Sequence, residues 1–286
     1  MPIEIKNLSY RYDPNFNPDD YAFKDINLTI NDGEFVALIG HTGSGKSTLV
    51  QTLNGLIEPS AGEIIINGKA IKDVDNLQQL RKKIGLVFQY PEHQLFEETV
   101  FADIAFGPRN LELEEEKIGD RVKKAMKMVN LDYELFKDRS PFKLSGGQQR
   151  RVAIAGVLAM EPEVLILDEP TASLDPKTRQ EIINQIVSLQ RKYSLTIILI
   201  SHRMEEVAQL ADRVFVLDKG KLVLEGSPAD VFTQSDFLEE IGLGVPQVTK
   251  VLNKLKEQGN NVRTDLFDIT EVKEEIFKLV KNTHAK

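Results

Sequence analysis

The sequence predicts an α/β fold in which a mostly parallel sheet is covered by helices. Short apolar runs at residues 35–39, 164–167 and 196–201 have the length and composition of buried strands, and each is followed by a segment with helical spacing. Strands that alternate with helices build parallel sheets with right-handed crossovers. A glycine-rich loop joins the first strand to its helix, and a helix N-terminus behind such a loop is suited to binding phosphate.

This glycine-rich loop matches the P-loop pattern. Its residues are Gly40, His41, Thr42, Gly43, Ser44, Gly45, Lys46, Ser47 and Thr48. The glycines let the backbone turn its N–H groups toward phosphate oxygens. We expect Lys46 to reach the β- and γ-phosphates and the Ser47 hydroxyl to bind Mg²⁺. A turn that only joins strand to helix is disfavoured because all four fixed positions of the motif are matched, so the loop predicts a P-loop NTPase core.

The segments on either side of the P-loop predict antiparallel strands. Residues 3–12 and 22–30 alternate apolar and polar side chains around a turn-rich loop at residues 13–20, which indicates an N-terminal antiparallel β subdomain. After the P-loop helix, residues 63–66 and 69–71 flank Asn67-Gly68, a strong hairpin signal. A further short buried strand is predicted at residues 84–88.

Residues from about 91 to 160 instead predict a helical subdomain inserted into the α/β core. Apolar side chains recur at helical spacing from Ile118 to Val129, and residues 112–116 supply an acidic first turn. The core then resumes with a strand at 164–167, a helix at 176–192 that begins with Pro176, a strand at 196–201, a helix at 204–211 and two closing strands at 213–217 and 221–225.

The last part of the chain, residues 233–286, predicts a small C-terminal helical extension to a main domain of residues 1–232. Apolar residues at 248, 251, 252 and 255, and again at 272, 276, 279 and 280, each mark one face of a helix. Asp268 and Glu271 would form a capping box for the last helix. These apolar stripes are expected to pack either on the core or on another subunit.

Composition excludes several classes of protein. The formal net charge of −8, from 36 basic and 44 acidic residues, disfavours a nucleic-acid-binding surface. No cysteine is present, and the four histidines have no metal-ligand spacing. The N-terminal residues do not resemble a secretory signal, and no apolar run approaches the ~20 residues that cross a bilayer. We therefore expect a cytoplasmic protein whose membrane role comes through a partner.

A pair of carboxylates supplies the second half of the predicted site. The apolar strand at residues 164–167 ends in Asp168 and Glu169. Such a strand is expected to deliver Asp168 to the Mg²⁺ shell and Glu169 toward an attacking water. A buried strand with a polar end would explain one carboxylate, but not this pair beside a P-loop.

A second anion-binding device follows from residues 143–151. Ser145, Gly146, Gly147 and Gln148 open a helix predicted to run to Met160, and they would present free backbone donors at its N-terminus. The chain therefore carries two such devices but one lysine-bearing P-loop. A head-to-tail dimer explains this, because the second device of one subunit would close over the partner's triphosphate.

These motifs together resemble the nucleotide-binding subunits of ABC transporters over residues 3–232. Residues 144–148 look like the LSGGQ signature, which is highly specific when both Walker motifs accompany it. By the same resemblance Gln89 is the Q-loop glutamine and a Mg²⁺ ligand, Asp175 belongs to the D-loop, and His202 is the switch histidine at the γ-phosphate. Tyr12 matches the aromatic residue that stacks on adenine, with Tyr10 as its rival.

One further segment narrows the resemblance to the energy-coupling factor (ECF) ATPases, which power uptake of vitamins and transition-metal ions. Residues 89–100 and 106–110 resemble that group, and residues 40–43, 243–246 and 249–250 resemble the second of its two paralogous ATPases. The C-terminal helices fit as a dimerisation element. Conventional ABC importers and the cobalt and nickel branch are the alternatives within this class. A soluble ABC ATPase of DNA repair or translation is disfavoured because no second cassette, coiled coil or basic arm is present.

The resemblance implies an ATP-hydrolysing subunit on the cytoplasmic face of the membrane. Glu169 would polarise the attacking water, with Lys46 and His202 as the other catalytic groups. Its partners would be a second ABC ATPase, in a paralogous heterodimer or a homodimer, together with a transmembrane coupling subunit and a substrate-binding membrane subunit. ATP and Mg²⁺ are the expected cofactors.

Overall fold

The computed structural model describes residues 1–12, 21–73, 77–111 and 113–284 and contains two sheets. Ten strands lie in this part of the chain: β1 Ile3–Tyr10, β2 Phe23–Ile30, β3 Phe35–Ile39, β4 Ala61–Ile66, β5 Lys69–Ala70, β6 Ile84–Val87, β7 Val164–Asp168, β8 Thr196–Ile200, β9 Arg213–Asp218 and β10 Lys221–Gly226. The larger sheet has the order β10-β9-β3-β8-β7-β6, with every pair parallel except β9 and β10. The smaller sheet, β2-β1-β4-β5, is antiparallel. Both predictions, a mostly parallel core sheet and an N-terminal antiparallel sheet, are confirmed.

Twelve α-helices lie in the same part of the chain. They are α1 Lys46–Leu53, α2 Leu77–Lys83, α3 Val100–Arg109, α4 Glu115–Met128, α5 Tyr133–Phe136, α6 Gly146–Leu158, α7 Pro176–Tyr193, α8 Met204–Leu210, α9 Pro228–Phe232, α10 Ser235–Glu240, α11 Gln247–Glu257 and α12 Ile269–His284. Pro176 occupies the first turn of α7, as predicted, because its missing N–H would have no partner there. None of the helices in the described ranges is long and apolar enough to cross a membrane.

The core lies on both faces of the parallel sheet because side chains alternate along each strand. Leu165 and Leu167 of β7 pack on the face covered by α3, α4, α6 and α7. Val164 and Ile166 pack on the opposite face, together with α1 and the antiparallel sheet. This arrangement places the loops after β3 and β7 at the carboxyl edge of the sheet, where ligands of open α/β sheets bind.

Local differences from the sequence prediction have simple causes. The strand predicted to reach residue 88 ends at Val87, and a 3₁₀ helix at Pro91–Gln94 begins the inserted helices. Helix α6 begins at Gly146 because Ser145 is its N-cap. Asn67 and Gly68 both have positive φ, 50° and 76°, as a two-residue hairpin turn requires. The loop predicted at residues 13–20 lies outside the described residues.

The C-terminal region packs in two parts. Leu238, Leu243 and Val245 share a hydrophobic cluster with Val231 and the core strands. Leu252 of α11 and Val272 of α12 belong to a separate cluster with Val262 and Leu266. Asp268 accepts hydrogen bonds from the N–H groups of Thr270 and Glu271 at the start of α12. The domain boundary at residue 232 remains a proposal.

Candidate active site

The glycine-rich loop of residues 40–48 connects β3 to α1 at the carboxyl edge of the parallel sheet. Two of its glycines, Gly40 and Gly45, are required by close backbone contacts. A Cβ on Gly45, whose φ is 98°, would lie 2.4 Å from the Ala22 carbonyl oxygen. A Cβ on Gly40 would lie 2.3 Å from the Leu217 carbonyl oxygen. The loop is therefore fixed against both neighbouring backbone segments.

Lys46 is buried inside this loop. Its Nζ donates hydrogen bonds to the carbonyl oxygens of Gly40 and His41, at 2.8 and 2.9 Å, and to Ser44 Oγ at 3.3 Å. Burial lowers the pKa of Lys46, while the charges of Asp168 and Glu169 act in the opposite direction. The Lys46 ammonium group now donates to neutral oxygens. A phosphate held by the loop could take their place and offer charged oxygens, which accept stronger hydrogen bonds.

Asp168 and Ser47 bring oxygen ligands together beside the loop. Burial raises the pKa of Asp168, and a hydrogen bond from the Ser47 side chain partly opposes that shift. Within the described ranges, no group of three or more His, Cys, Asp or Glu side chains could hold a metal ion. One carboxylate and one hydroxyl nevertheless suit Mg²⁺, which commonly takes few protein ligands and completes its shell with phosphate and water.

Glu169 lies between the two side chains that the sequence analysis associated with it. Gln89 Nε2 donates to Glu169 Oε2 at 3.1 Å, and His202 Nε2 lies 3.0 Å from Glu169 Oε1. The backbone of Glu169 has φ 49°, an uncommon conformation for a residue with a side chain, and its N–H donates to the Ile200 carbonyl. Such strain often marks a functional position.

Two tyrosines border the loop in different environments. Tyr12 is 70% exposed, and its hydroxyl lies 2.7 Å from Thr48 Oγ1 on α1. Tyr10 is half-buried against Phe23 and meets the Tyr12 ring edge-on, with ring centroids 5.2 Å apart. Only Tyr12 of the pair offers a largely open ring beside the P-loop helix.

His41, the variable position of the loop, contacts the neighbouring strand. Its Nε2 lies 2.9 Å from Asp218 Oδ1 at the end of β9, and its Nδ1 lies 2.7 Å from the Thr42 carbonyl oxygen. These contacts connect the loop to the β9–β10 turn.

Residues 145–148 form a compact helix start. Ser145 Oγ accepts from the Gln148 N–H, and Gln148 Oε1 accepts from the Ser145 N–H, which is a capping box. A Cβ on Gly146 would meet nothing within 4 Å, whereas Gly147 is packed against Thr178 on α7. Across the described ranges, no hydrogen bond or ion pair joins residues 145–148 to the P-loop.

Asp175 occupies the N-cap of α7 beside this helix start. Its Oδ1 accepts from the N–H groups of Lys177 and Thr178, both at 3.0 Å. The side chain of Thr178 and these backbone donors hold the pKa of Asp175 below its usual value.

Two buried charged residues near the site were not anticipated from the sequence. Arg150 on α6 is 1% exposed and donates to Glu92 and to the carbonyl oxygens of Pro170 and Ala172. The burial of Arg150 could have been found from its spacing with Ile154 and Leu158. This spacing places the charged side chain on the buried stripe of the helix.

Glu206 on α8 is the second. It accepts hydrogen bonds from Thr171 and from Ser201, the residue before His202. Burial raises the pKa of Glu206. The burial of Glu206 could not have been predicted from the sequence, since acidic residues in the first turn of a helix are common on the surface.

Comparison with known proteins identifies the family. The ABC transporter family profile matches residues 23–172. The energy-coupling factor transporter ATP-binding protein EcfA2 of Clostridium perfringens is 56% identical over 285 residues, which cover 99% of this chain and 100% of that protein.

Solved structures agree with this relationship. The cbiO1 protein of Clostridium perfringens, part of the ABC transporter complex cbiONQ, is 40% identical with a TM-score of 0.74, covering 88% of this chain and 98% of its own. The dimeric bacterial ABC transporter cassette MJ0796 is 32% identical with a TM-score of 0.70, covering 79% of this chain and 98% of its own. This chain belongs to the ABC transporter ATPases, within the group of energy-coupling factor transporter ATP-binding subunits.

Proposed function

We propose that this chain hydrolyses MgATP in a head-to-tail pair of ATPases that drives an energy-coupling factor importer. One observation carries the proposal. Glu169 is held between Gln89 and His202 at the end of β7, beside the buried Lys46 and Asp168. This arrangement suits a water-activating carboxylate next to a phosphate-binding loop.

Each side chain has a distinct role in this proposal. Lys46 would exchange its bonds to loop carbonyls for bonds to the β- and γ-phosphates. Ser47, Asp168 and the side-chain oxygen of Gln89 would hold Mg²⁺, which neutralises charge on the phosphate oxygens. Glu169 would accept a hydrogen bond from the attacking water, with Gln89 and His202 fixing its two oxygens. Tyr12 would stack on the adenine.

The second half of the site would come from a partner ATPase. The N-terminus of α6 has an open approach at Gly146, and its donors have no contact with the P-loop of the same chain. A head-to-tail pair would give each P-loop the partner's Ser145–Gln148 segment, with Asp175 nearby. The cassette MJ0796, which is 32% identical to this chain, is dimeric, and this supports a pair of ATPases.

We propose a paralogous ATPase as that partner. The chain is 56% identical to a protein named EcfA2, and we take the numeral in that name to denote one of two paralogous ATPase types. The C-terminal extension would hold the pair together between cycles. Its exposed apolar side chains suit such a contact: Val251, Ile269, Phe277 and Val280.

Membrane coupling would occur at a groove between the core and the inserted helices. The groove has a volume of about 310 Å³ and is lined by Leu56 and Phe88 on the core side and by Phe96, Phe106 and Met160 on the helical side. Phe96 and Phe106 are exposed and pack edge-to-face with centroids 4.8 Å apart. We propose that this groove receives the transmembrane coupling subunit, and the chain would then lie at the cytoplasmic face of the membrane. A vitamin or a transition-metal ion, chosen by a separate membrane subunit, would be the cargo.

The test uses Glu169→Gln in the ATPase purified with the proteins that accompany it from the native membrane. The variant should bind MgATP, lose hydrolysis by roughly 10²–10⁴-fold and keep the ATPase pair closed. Glu163→Gln, on a half-exposed glutamate just before the same strand, is the matched control and should hydrolyse normally. Hydrolysis by Glu169→Gln near the wild-type rate would contradict the proposal, as would full, concentration-independent activity of a lone monomer.

A further inference from the structure

Arg150 is almost fully buried, and each of its three guanidinium nitrogens donates hydrogen bonds. Its Nε and Nη2 donate hydrogen bonds to the two carboxylate oxygens of Glu92 at 2.9–3.1 Å. Its Nη1 donates to the carbonyl oxygens of Pro170 at 3.0 Å and of Ala172 at 2.7 Å. All three nitrogens of the guanidinium therefore donate hydrogen bonds. A planar fork held at all three nitrogens cannot rotate or slide without breaking bonds.

The groups that Arg150 joins lie in different functional segments. Glu92 is in the 3₁₀ helix between Gln89 and the groove residue Phe96. Pro170 and Ala172 belong to the tight turn directly after Glu169, in which the Ala172 N–H donates to the Glu169 carbonyl. Arg150 itself lies in α6, the helix that begins with residues 145–148. One side chain thus links the groove, the water-activating carboxylate and the partner-facing helix start.

We propose that the Arg150–Glu92 pair is a positioning device that transmits displacement between the groove and the Glu169 turn. The inference rests on the proposed function of the groove and of Glu169. When the segment around Phe96 moves, Glu92 pulls the guanidinium, and the guanidinium pulls the two carbonyls that set the position of Glu169. The direct contact of Gln89 with Glu169 is a second connection, which leaves the pair a distinct and separable part of the coupling.

A purely stabilising ion pair is the alternative, and the chain contains a matched example. Arg213 donates to both oxygens of the buried Glu34 and to the Thr29 carbonyl, so it also combines a carboxylate with a backbone acceptor. Glu34 lies immediately before β3, at the end of that strand opposite to the P-loop. Loss of this pair should lower stability without affecting communication between groove and site.

The absence of tryptophan from the sequence allows a direct measurement. Phe96→Trp gives this chain a single tryptophan, at the groove, and Glu169→Gln in the same protein prevents hydrolysis. MgATP is then titrated into the ATPase pair while binding and tryptophan emission are measured separately. Glu92→Gln and Arg150→Lys are introduced into this background, with Glu34→Gln as the matched control. Melting temperature is recorded for each variant.

The Phe96→Trp/Glu169→Gln protein is the parent of these variants. We expect MgATP to change the tryptophan emission of the parent and of its Glu34→Gln variant. In Glu92→Gln the MgATP affinity should stay within about twofold, while the emission change falls at least about fivefold. With Glu169 restored, Glu92→Gln should lower kcat by roughly 10-fold or more at unchanged KM, because a shift of ~1 Å at a catalytic group can cost 10²-fold. Arg150→Lys keeps the charge but loses the fork, and it should reproduce this loss if Glu92→Gln does not fold.

Three results would overturn the inference. The first is a bound parent whose emission does not respond to MgATP. The second is an undiminished response in both Glu92→Gln and Arg150→Lys. The third is an equal loss in Glu34→Gln, which would reduce the pair to a general stabiliser. A parent that does not bind MgATP at all would instead refute the proposed function, and the inference with it.

Discussion

Alanine at position 147 tests the packing of the start of α6, which we propose faces the partner ATPase, against α7. A Cβ on Gly147 would lie 2.6 Å from Thr178 Cγ2, whereas carbon atoms pack at about 3.5–4.0 Å, so the two helices must separate by about 1 Å. Overpacking of this kind costs about 1–3 kcal/mol, against about 1 kcal/mol gained from replacing glycine in a helix. Gly147→Ala should therefore leave stability unchanged or lower it by up to about 2 kcal/mol.

The ATPase rate of Gly147→Ala should fall strongly even though its stability changes little. A displacement of ~1 Å moves the donors of residues 145–148, and such misplacement costs about 10²-fold in rate. Thr178→Ser removes Cγ2 but keeps the hydroxyl, whose oxygen would lie 3.9 Å from the added Cβ. The double variant Gly147→Ala/Thr178→Ser should thus recover most of the ATPase rate.

The measurements are steady-state hydrolysis by the ATPase pair and thermal unfolding of each variant. Gly119→Ala in α4 is the matched control, because its Cβ would meet nothing within 4 Å, and it should raise stability by about 1 kcal/mol at normal activity. If Gly147→Ala is inactive and Thr178→Ser does not rescue it, the loss arises elsewhere, for example against the partner's nucleotide. Normal activity of Gly147→Ala would refute the packing argument altogether.

Three further predictions address other parts of the site. Lys46→Ala should abolish turnover and weaken MgATP binding in a titration while the circular dichroism spectrum stays native, since the loop keeps its backbone hydrogen bonds from Ser44 N–H to the His41 carbonyl and from Leu49 N–H to the Gly45 carbonyl. Tyr12→Ala should raise the KM for ATP with little change in kcat, because stacking on adenine stabilises ground and transition states alike; the same effect in Tyr10→Ala alone would reverse the choice. Burial raises the pKa of Glu206 above 4.5, so its contribution to stability is complete below that pH and is lost as the pH rises through the folded value. The free energy of unfolding in urea should therefore rise for Glu206→Gln relative to wild type as the pH goes from 4.5 to neutrality. A difference between the two proteins that does not change with pH would contradict this.

The sequence predicted most of the fold because its signals are local. Apolar runs of strand length, the proline that begins α7 and the Asn67-Gly68 turn each act within a few residues, and their elements lie within a few residues of the predicted bounds. The pair of carboxylates after β7 was readable for the same reason. Helix α2 was not anticipated, because seven residues rich in Gln, Arg and Lys carry no clear apolar stripe.

Contacts between distant segments could not be read in this way. Arg150 meets Glu92 across 58 positions and the Pro170 carbonyl across 20, and nothing in either neighbourhood specifies the other. The choice between Tyr10 and Tyr12 likewise depends on which ring Phe23 covers. Spacing identified the residue types at the site, while tertiary packing determines which of them meet.

The order of strands in the parallel sheet has a consequence for synthesis on the ribosome. Strand β3, which leads into the P-loop, lies between β8 and β9, and its Ile39 pairs with Val216, about 180 residues later in the chain. At about 5–20 residues per second, translation takes roughly 10–35 s to supply that neighbour. For most of this interval a five-residue, wholly apolar strand has neither of its sheet partners, because β8 is synthesised only shortly before β9. Nascent chains of this protein should therefore be most dependent on chaperones, and most sensitive to proteases, until β9 has left the ribosome.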